Sequence, residues 1–350
     1  MNIYLYRGGS ALVAKSGIGQ AIAHQQDMLS RIGVHTTCSW AQPAEAVQLN
    51  TVFPDSVLTA LRARLQGRRV VYYGHSTMED FRNSFRGSNW LSPLFRRWIC
   101  FCYGLGDVVL TPTEYSRSLL KSYGLRRPVY AISNGVDTRF FAPDPDAACR
   151  FRERWGLGPA DRAVVSVGHL IGRKGLPEFI ELARQMPQVR FFWFGWTDPA
   201  LLPPQIVQAI RSAPENLCFP GYVSRGTLRD AYCGADAFVF MSHEETEGIV
   251  VLEALSCGTP ALVRDIPVYQ DWLRAGTDVY KADSLPSFRR TLEDMLSGRL
   301  PDLTAAGRAV AQRRSLDTVG ARLRTIYERE GIAPAREHPH RMPAVGESRT

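Results

Sequence analysis

Between Met241 and Pro260 the chain reads MSHEETEGIVVLEALSCGTP, which holds two glutamates, Glu245 and Glu253, with seven residues between them. An ionised carboxylate presents two oxygens that accept hydrogen bonds in fixed directions, which is what a hydroxyl-rich ligand needs. Glu245 stands in a polar loop before Gly248, and Glu253 lies inside an apolar run that starts as a helix and stops at Gly258 and Pro260. One carboxylate is placed for a sugar hydroxyl and the other for a ribose, beside a helix start that suits phosphate. The plain alternative is a solvated acidic loop before a core helix, the usual fate of charged side chains.

Cations for a phosphate come from a second string, Ser166-Val167-Gly168-His169-Leu170-Ile171-Gly172-Arg173-Lys174-Gly175. Its strand delivers Arg173 and Lys174, with Gly168, Gly172 and Gly175, to a helix start. If a sugar–diphosphate bond breaks there, charge grows on the leaving oxygen, and preplaced cations favour that transition state over the ground state. A solvated basic turn is the competing reading.

Three weaker signals share this logic. Lys15-Ser16-Gly17-Ile18-Gly19 follows the first strand, so Gly17 and Gly19 let backbone approach a ligand as readily as they make a structural turn. It is not a dinucleotide fingerprint, because Ile22 fills the third glycine position and Thr36, Thr37 and Cys38 stand where an acid belongs. Gly221-Tyr222-Val223-Ser224 is a loop able to hold a planar base through backbone groups, and His75 ends the strand from Val70 to Tyr73, where open α/β sheets present ligand groups.

The elements that position these residues alternate strand and helix. Strands are expected at Asn2 to Tyr6, Val70 to Tyr73, Val108 to Leu110 and Val129 to Ile132, with helices from Gly19 to Ile32 and Leu91 to Tyr103. A second series runs Ala163 to Val167, Val189 to Phe194, Leu217 to Phe219, Ala237 to Phe240 and Ala261 to Val263. Both are α/β, doubly wound patterns. The boundary falls in the proline-rich stretch after Asn134-Gly135, giving domains at 1–142 and 143–309, a terminal helix over 310–332 and a loose tail over 333–350.

Composition agrees with two globular domains: 350 residues, 45% hydrophobic and 22% charged. A net charge of +8 favours an anionic partner. Seven scattered cysteines without paired spacing read as buried thiols in a reducing compartment, not as zinc ligands. No signal peptide is expected at the start, and the apolar run from Trp98 to Leu110 is broken by Gly104, Gly106 and Asp107, so no membrane span is expected. From Phe81 to Arg127, however, aromatics (Phe81, Phe85, Trp90, Phe95, Trp98) interleave with Arg82, Arg86, Arg96, Arg97, Arg117, Lys121, Arg126 and Arg127. That mixture suits an anionic lipid surface. No nucleic-acid recognition motif accompanies it, and an ordinary amphipathic core helix is the bland reading.

Together these strings resemble family 4 of the retaining glycosyltransferases, whose GT-B fold sets two Rossmann-like domains facing each other across a cleft, over roughly residues 1 to 330. More narrowly, the first glycine motif with Ala21, Ile22 and His24, GHSTMEDFRNSFRGSNWLSPLF from Gly74, TPTEYS from Thr111 and AISNGVD from Ala131 are similar to bacterial synthases that add a second hexose to a monoglycosyl-diacylglycerol.

The resemblance implies that Gly17 and Gly19 flank the donor phosphate, His75 lies near the transferred sugar, Arg173 and Lys174 hold the diphosphate, Glu245 meets the sugar and Glu253 the ribose. Backbone from Glu247 through Gly248 to Ile249 approaches the phosphates, and Gly168, Gly221 and Val223 complete the donor set. Catalytic roles fall to Glu245, His75, Arg173 and Lys174. The implied donor is UDP-glucose or UDP-galactose, used without a metal, and the acceptor is a glycolipid at the inner face of the cell membrane. His169 stands where many members carry arginine. Thr77, Glu79, Asp80, Arg82 and Asn83 are the expected acceptor loop. The same donor chemistry on a polysaccharide or soluble acceptor, and a non-catalytic UDP- or lipid-binding module, are the other readings.

Overall fold

The computed structural model describes residues 1–9, 17–84 and 87–333. Lys15, Ser16, Phe85, Arg86 and the tail from Pro334 lie outside the described residues. Two six-stranded sheets organise the rest, all pairings parallel.

The first sheet has the order β2-β1-β3-β4-β5-β6, from β1 (Asn2–Leu5), β2 (His35–Thr37), β3 (Ala46–Leu49), β4 (Arg69–Tyr73), β5 (Val108–Thr111) and β6 (Val129–Ala131). Strands such as Val108–Thr111 are buried on both faces and are continuous apolar runs, because helices cover a parallel sheet on each side. One face packs Ile3, Val71 and Leu110 against helices Gly17–Arg31 and Leu316–Arg329; the other packs Val47, Tyr72 and Val109 against Pro54–Leu65 and Ser88–Gly104.

The second sheet has the order β12-β11-β10-β7-β8-β9, from β7 (Arg162–Val167), β8 (Val189–Phe194), β9 (Leu217–Gly221), β10 (Ala237–Phe240), β11 (Ala261–Arg264) and β12 (Tyr280–Ala282). The order reverses between β7 and β10, and ligands of open α/β sheets sit beyond the strand ends at such a point. This is the two-lobed, doubly wound architecture expected from the alternation of elements.

The expected elements are present, and several were not foreseen: β2, β3, β12 and helix Pro54–Leu65. The single terminal helix is two, Thr304–Arg313 and Leu316–Arg329. The break has a cause. Ser315 caps the second helix by accepting from Thr318 N, and the backbone around it bonds elsewhere: Val136 N donates to Arg314 O and Leu316 N to Val136 O, both at 3.0 Å. The chain therefore passes between the lobes twice, side by side. Beyond that crossing, Leu316–Arg329 returns to the first lobe, where Arg324 donates to Ile32 O at 2.8 Å and the Tyr327 hydroxyl to Gln48 Oε1 at 2.8 Å. The cysteines also depart from expectation: Cys38 and Cys149 are exposed and only Cys102 and Cys257 are fully buried.

Candidate active site

A cavity of 340 Å³ opens at the strand ends of both lobes. Gly17, His75, Gly168, Arg173, Lys174, Val223, Glu245, Glu247, Gly248, Ile249 and Glu253 all line it. Gly19 and Gly221 do not. Gly19 lies two residues inside its helix, and Gly221 closes β9, its carbonyl accepting from Gly195 N at 2.9 Å.

Two glycines make the floor of this cavity possible. Gly195 has φ +136, and a Cβ there would sit 2.0 Å from Gly168 O, so β7 and β8 can end flush only with glycine at this point. Gly175 has φ +77, and a Cβ would sit 2.3 Å from Met241 O, which lets the Arg173-Lys174 turn press against the end of β10. His243 N then donates to Arg173 O at 2.8 Å and ties that turn to the Glu245 loop.

The ammonium of Lys174 bonds Glu245 Oε1, and both side chains are nearly buried. Burial pushes the Glu245 carboxyl up, but Lys174 and Arg173 outweigh it and hold the carboxyl below its ordinary value. Burial in turn lowers the Lys174 ammonium, partly offset by Glu245. Among the described residues Glu253 has no such cation within bonding reach. Burial raises its carboxyl to about 7, against a hydrogen bond from the Tyr232 hydroxyl at 3.1 Å and the more distant Arg225. The two glutamates are therefore in opposite electrostatic settings, one firmly ionised and one poised near neutrality.

Across the cavity, His75 Nε2 lies 3.1 Å from Asn50 Oδ1 and 3.3 Å from Gln25 Nε2, and burial lowers the imidazole to about 4. It is neutral at physiological pH. His169 is held by Trp196 O, 3.0 Å from Nδ1, and its imidazole is lowered first by burial and then by Lys174 and Arg173. These influences outweigh the hydrogen bond to Trp196 O and disfavour a cation where many members carry arginine.

Of the five acceptor-loop candidates, only Asp80 lines the cavity, where it pairs with Arg173 at 2.8 Å. The others hold the loop itself: Thr77 Oγ1 accepts from Asp80 N, Glu79 takes the Tyr123 hydroxyl, Arg82 bonds Ser92, and Asn83 sits at φ +56 paired with Asn89.

Residues 150–308 match the family described as glycosyl transferases group 1, and residues 42–140 match glycosyltransferase family 4. The chain is 36% identical over 329 residues to the processive diacylglycerol alpha-glucosyltransferase of Acholeplasma laidlawii, covering 94% of this chain and 98% of that one. The chain belongs to glycosyltransferase family 4. This glycosyltransferase is also 28% identical to the alpha-galactosylglucosyldiacylglycerol synthase of Streptococcus pneumoniae over 65% of its own length and 62% of the relative's. Its fold matches Anabaena HepE, solved with UDP and glucose, at a TM-score of 0.74 and 16% identity over 94% and 100% of the two chains. Sucrose-phosphate synthase of Thermosynechococcus elongatus matches at 0.79 and 15% over 94% and 98%.

Several residues of the glycosyltransferase site went unforeseen. Glu247 was expected to offer backbone, yet its buried carboxylate accepts from Asn134 N at 2.9 Å and Asn134 Nδ2 at 2.8 Å, binding the connecting segment to the second lobe. Thr113 adds a bond to Thr246 O at 2.9 Å. The one available signal was Asn134-Gly135, which reads in sequence only as a turn. Trp196, Arg225 and Tyr232 carried no signal at all.

Proposed function

We propose that this glycosyltransferase moves glucose or galactose from a UDP-sugar to a glycolipid, a monoglycosyl-diacylglycerol, with retention at the anomeric carbon, at the cytoplasmic face of the membrane and without a metal. One observation carries the donor half: Glu245, Lys174, Arg173 and Glu253 converge on one interlobe cavity. The Lys174–Glu245 pair puts a cation and an acceptor side by side, as the junction of a diphosphate and a sugar requires, and Glu253 lies beside the nucleotide end for the ribose. In the proposed reaction the leaving β-phosphate oxygen takes the proton of the incoming hydroxyl on the same face of the sugar. Arg173 and Lys174 stabilise the charge that develops there. Crossing contacts from Asp80, Thr113 and Asn134 keep the lobes shut against water, which would otherwise hydrolyse the donor.

Support for a lipid acceptor comes from the names of the two relatives and from one face of the first lobe. On helix Ser88–Gly104 the side chains of Trp90, Leu94 and Phe101 are 84%, 64% and 52% exposed, while Ile99, Cys102 and Tyr103 on the opposite side are core. The neighbouring helix Pro54–Leu65, joined to it by Arg64 donating to Leu105 O at 2.9 Å, exposes Leu58, Leu61 and Leu65. Apolar side chains flanked by Arg62, Arg64, Arg96 and Arg97 suit an anionic membrane surface. Among the described residues no helix is long and apolar enough to cross a membrane.

The test is turnover of UDP-glucose and UDP-galactose by purified protein on vesicles containing monoglycosyl-diacylglycerol, with the new anomeric centre read by NMR. An α-linked diglycosyl lipid is expected. Transfer confined to a soluble or polysaccharide acceptor, or UDP binding without turnover, defeats the proposal.

A further inference from the structure

Arg173 is held from both lobes. A guanidinium has five N–H donors in a rigid fork. Here Nη1 bonds Asp80 Oδ1 at 2.8 Å and Glu244 O at 2.6 Å, and Nε bonds Ser84 Oγ at 2.9 Å. Among the described residues Nη2 makes no hydrogen bond, and the side chain lines the cavity. Asp80 and Ser84 belong to the first lobe, in and just after the short helix Met78–Phe81, and are themselves tied together by Ser84 Oγ donating to Asp80 O at 2.7 Å. Tyr103 and Tyr123 brace the start of this loop, their hydroxyls accepting from Ser76 N at 3.2 Å and Met78 N at 3.1 Å.

A carboxylate at this spot is no ligand for a diphosphate. It lies beside the place proposed for a diphosphate and repels it, so it weakens binding of the ground state. It does fix the direction of the one fork whose free nitrogen remains for the leaving group, through a charge-assisted bond. A group that opposes ground-state binding while aligning a cation for charge that develops later raises kcat and does not lower KM.

We propose that Asp80, aided by Ser84, is a positioning residue that aims Arg173 at the donor's leaving diphosphate, so that the cleaving site is complete only when the first lobe's 77–84 loop is docked on the second lobe. This rests on the reading that Arg173 meets the diphosphate. It also makes donor cleavage answerable to the lobe that carries the lipid-facing surface, which restrains wasteful hydrolysis.

The test compares Asp80→Asn, Asp80→Glu, Ser84→Ala, Arg173→Lys and the double variant Asp80→Asn/Arg173→Lys in the full chain. Calorimetry with UDP gives Kd, and transfer on glycolipid vesicles gives kcat and the donor KM. Asp80→Asn is expected to lower kcat about tenfold, while UDP binds as tightly as before or up to about fivefold tighter for want of the opposing charge. Asp80→Glu recovers part of kcat, and Ser84→Ala lowers it about threefold, which gives a second reading should Asp80→Asn fold poorly. The double variant falls no further than Arg173→Lys alone. The proposal is overturned if kcat of Asp80→Asn stays within about twofold of wild type, if UDP affinity drops in step with kcat, or if the two losses multiply. Wild-type UDP affinity and turnover in Arg173→Lys would instead overturn the diphosphate reading itself, and the proposal with it; an impaired Arg173→Lys beside an unimpaired Asp80→Asn overturns the proposal alone.

Discussion

Glu245→Gln keeps the shape of the side chain and removes its charge, leaving the Lys174 ammonium nearly buried, with Arg173 close by and the Phe240 ring 5.5 Å away. Breaking a buried pair from one side costs about 3–5 kcal/mol when the remaining charge has no escape. Lys174 has one, because it can lose its proton. For a lysine of ordinary pKa near 10.4 that costs about 3 kcal/mol at pH 8, at 1.36 kcal/mol per unit, and burial has already lowered Lys174, so the true ceiling is smaller. A loss of about 2 kcal/mol lowers the melting temperature of a lobe this size by roughly 4–8 °C. Turnover, in contrast, should fall at least about 100-fold if Glu245 grips the transferred sugar. UDP supplies the missing anion, so it should raise the melting temperature of Glu245→Gln by more degrees than that of the wild type. In Lys174→Met/Glu245→Gln most of the stability returns and none of the activity does. Scanning fluorimetry of wild type, Glu245→Gln, Lys174→Met and the double variant with and without UDP, beside transfer kinetics, reads all of this. Turnover within about threefold of wild type, or a double variant no more stable than Glu245→Gln, refutes the reasoning.

Glu253, raised to about 7, should make UDP affinity climb from pH 6 to pH 8 as the carboxyl ionises to receive the ribose hydroxyls, and Glu253→Gln should flatten that climb in calorimetry. Without ligand the sign is opposite: a carboxyl raised in the folded state contributes stability in full below its unfolded value, about 4.3, and loses it as pH rises through about 7. The melting advantage of wild type over Glu253→Gln should therefore shrink from pH 5 to pH 8. Leu58→Asp/Leu65→Asp and Trp90→Ser/Phe101→Ser should each reduce binding to anionic vesicles at least about tenfold in a sedimentation assay, with UDP affinity unchanged; retained binding assigns these faces no lipid role. Gly175→Ala should cost at least about 3 kcal/mol in urea unfolding, because the added carbon meets Met241 O at 2.3 Å in a backbone region that disfavours it.

The sequence was informative where chemistry constrains the residue type. Glu245, Glu253, Arg173 and Lys174 stood out because carboxylates and cations among glycines at strand ends are hard to explain as core, and the structure does gather them. The elements that escaped notice are those whose stability is borrowed. β2 is three residues, His35–Thr37, the first exposed and the other two half-buried, with no apolar alternation to read. β3 carries Gln48 in its buried run, a polar residue that is tolerable there only because Gln25 and Tyr327 satisfy it from 23 and 279 residues away. Partnerships such as Asp80 with Arg173 or Asn134 with Glu247 join positions more than 90 residues apart, and no local pattern announces them. The basic aromatic segment was half legible: its helix is both core and exposed surface, which composition alone does not separate.

The paired crossing at Val136 and Ser315 has a bearing on how the chain is made. The fourteen-residue helix Leu316–Arg329 covers Ile3, Val71 and Leu110 and supplies the hydroxyl that satisfies Gln48, so the first sheet is roofed by residues that follow the whole second lobe in the chain. Synthesis at about 5–20 residues per second gives most multidomain chains time to finish their first domain early. This one must carry an open sheet face through translation of the whole second lobe, a delay during which a holdase chaperone has an obvious place to sit.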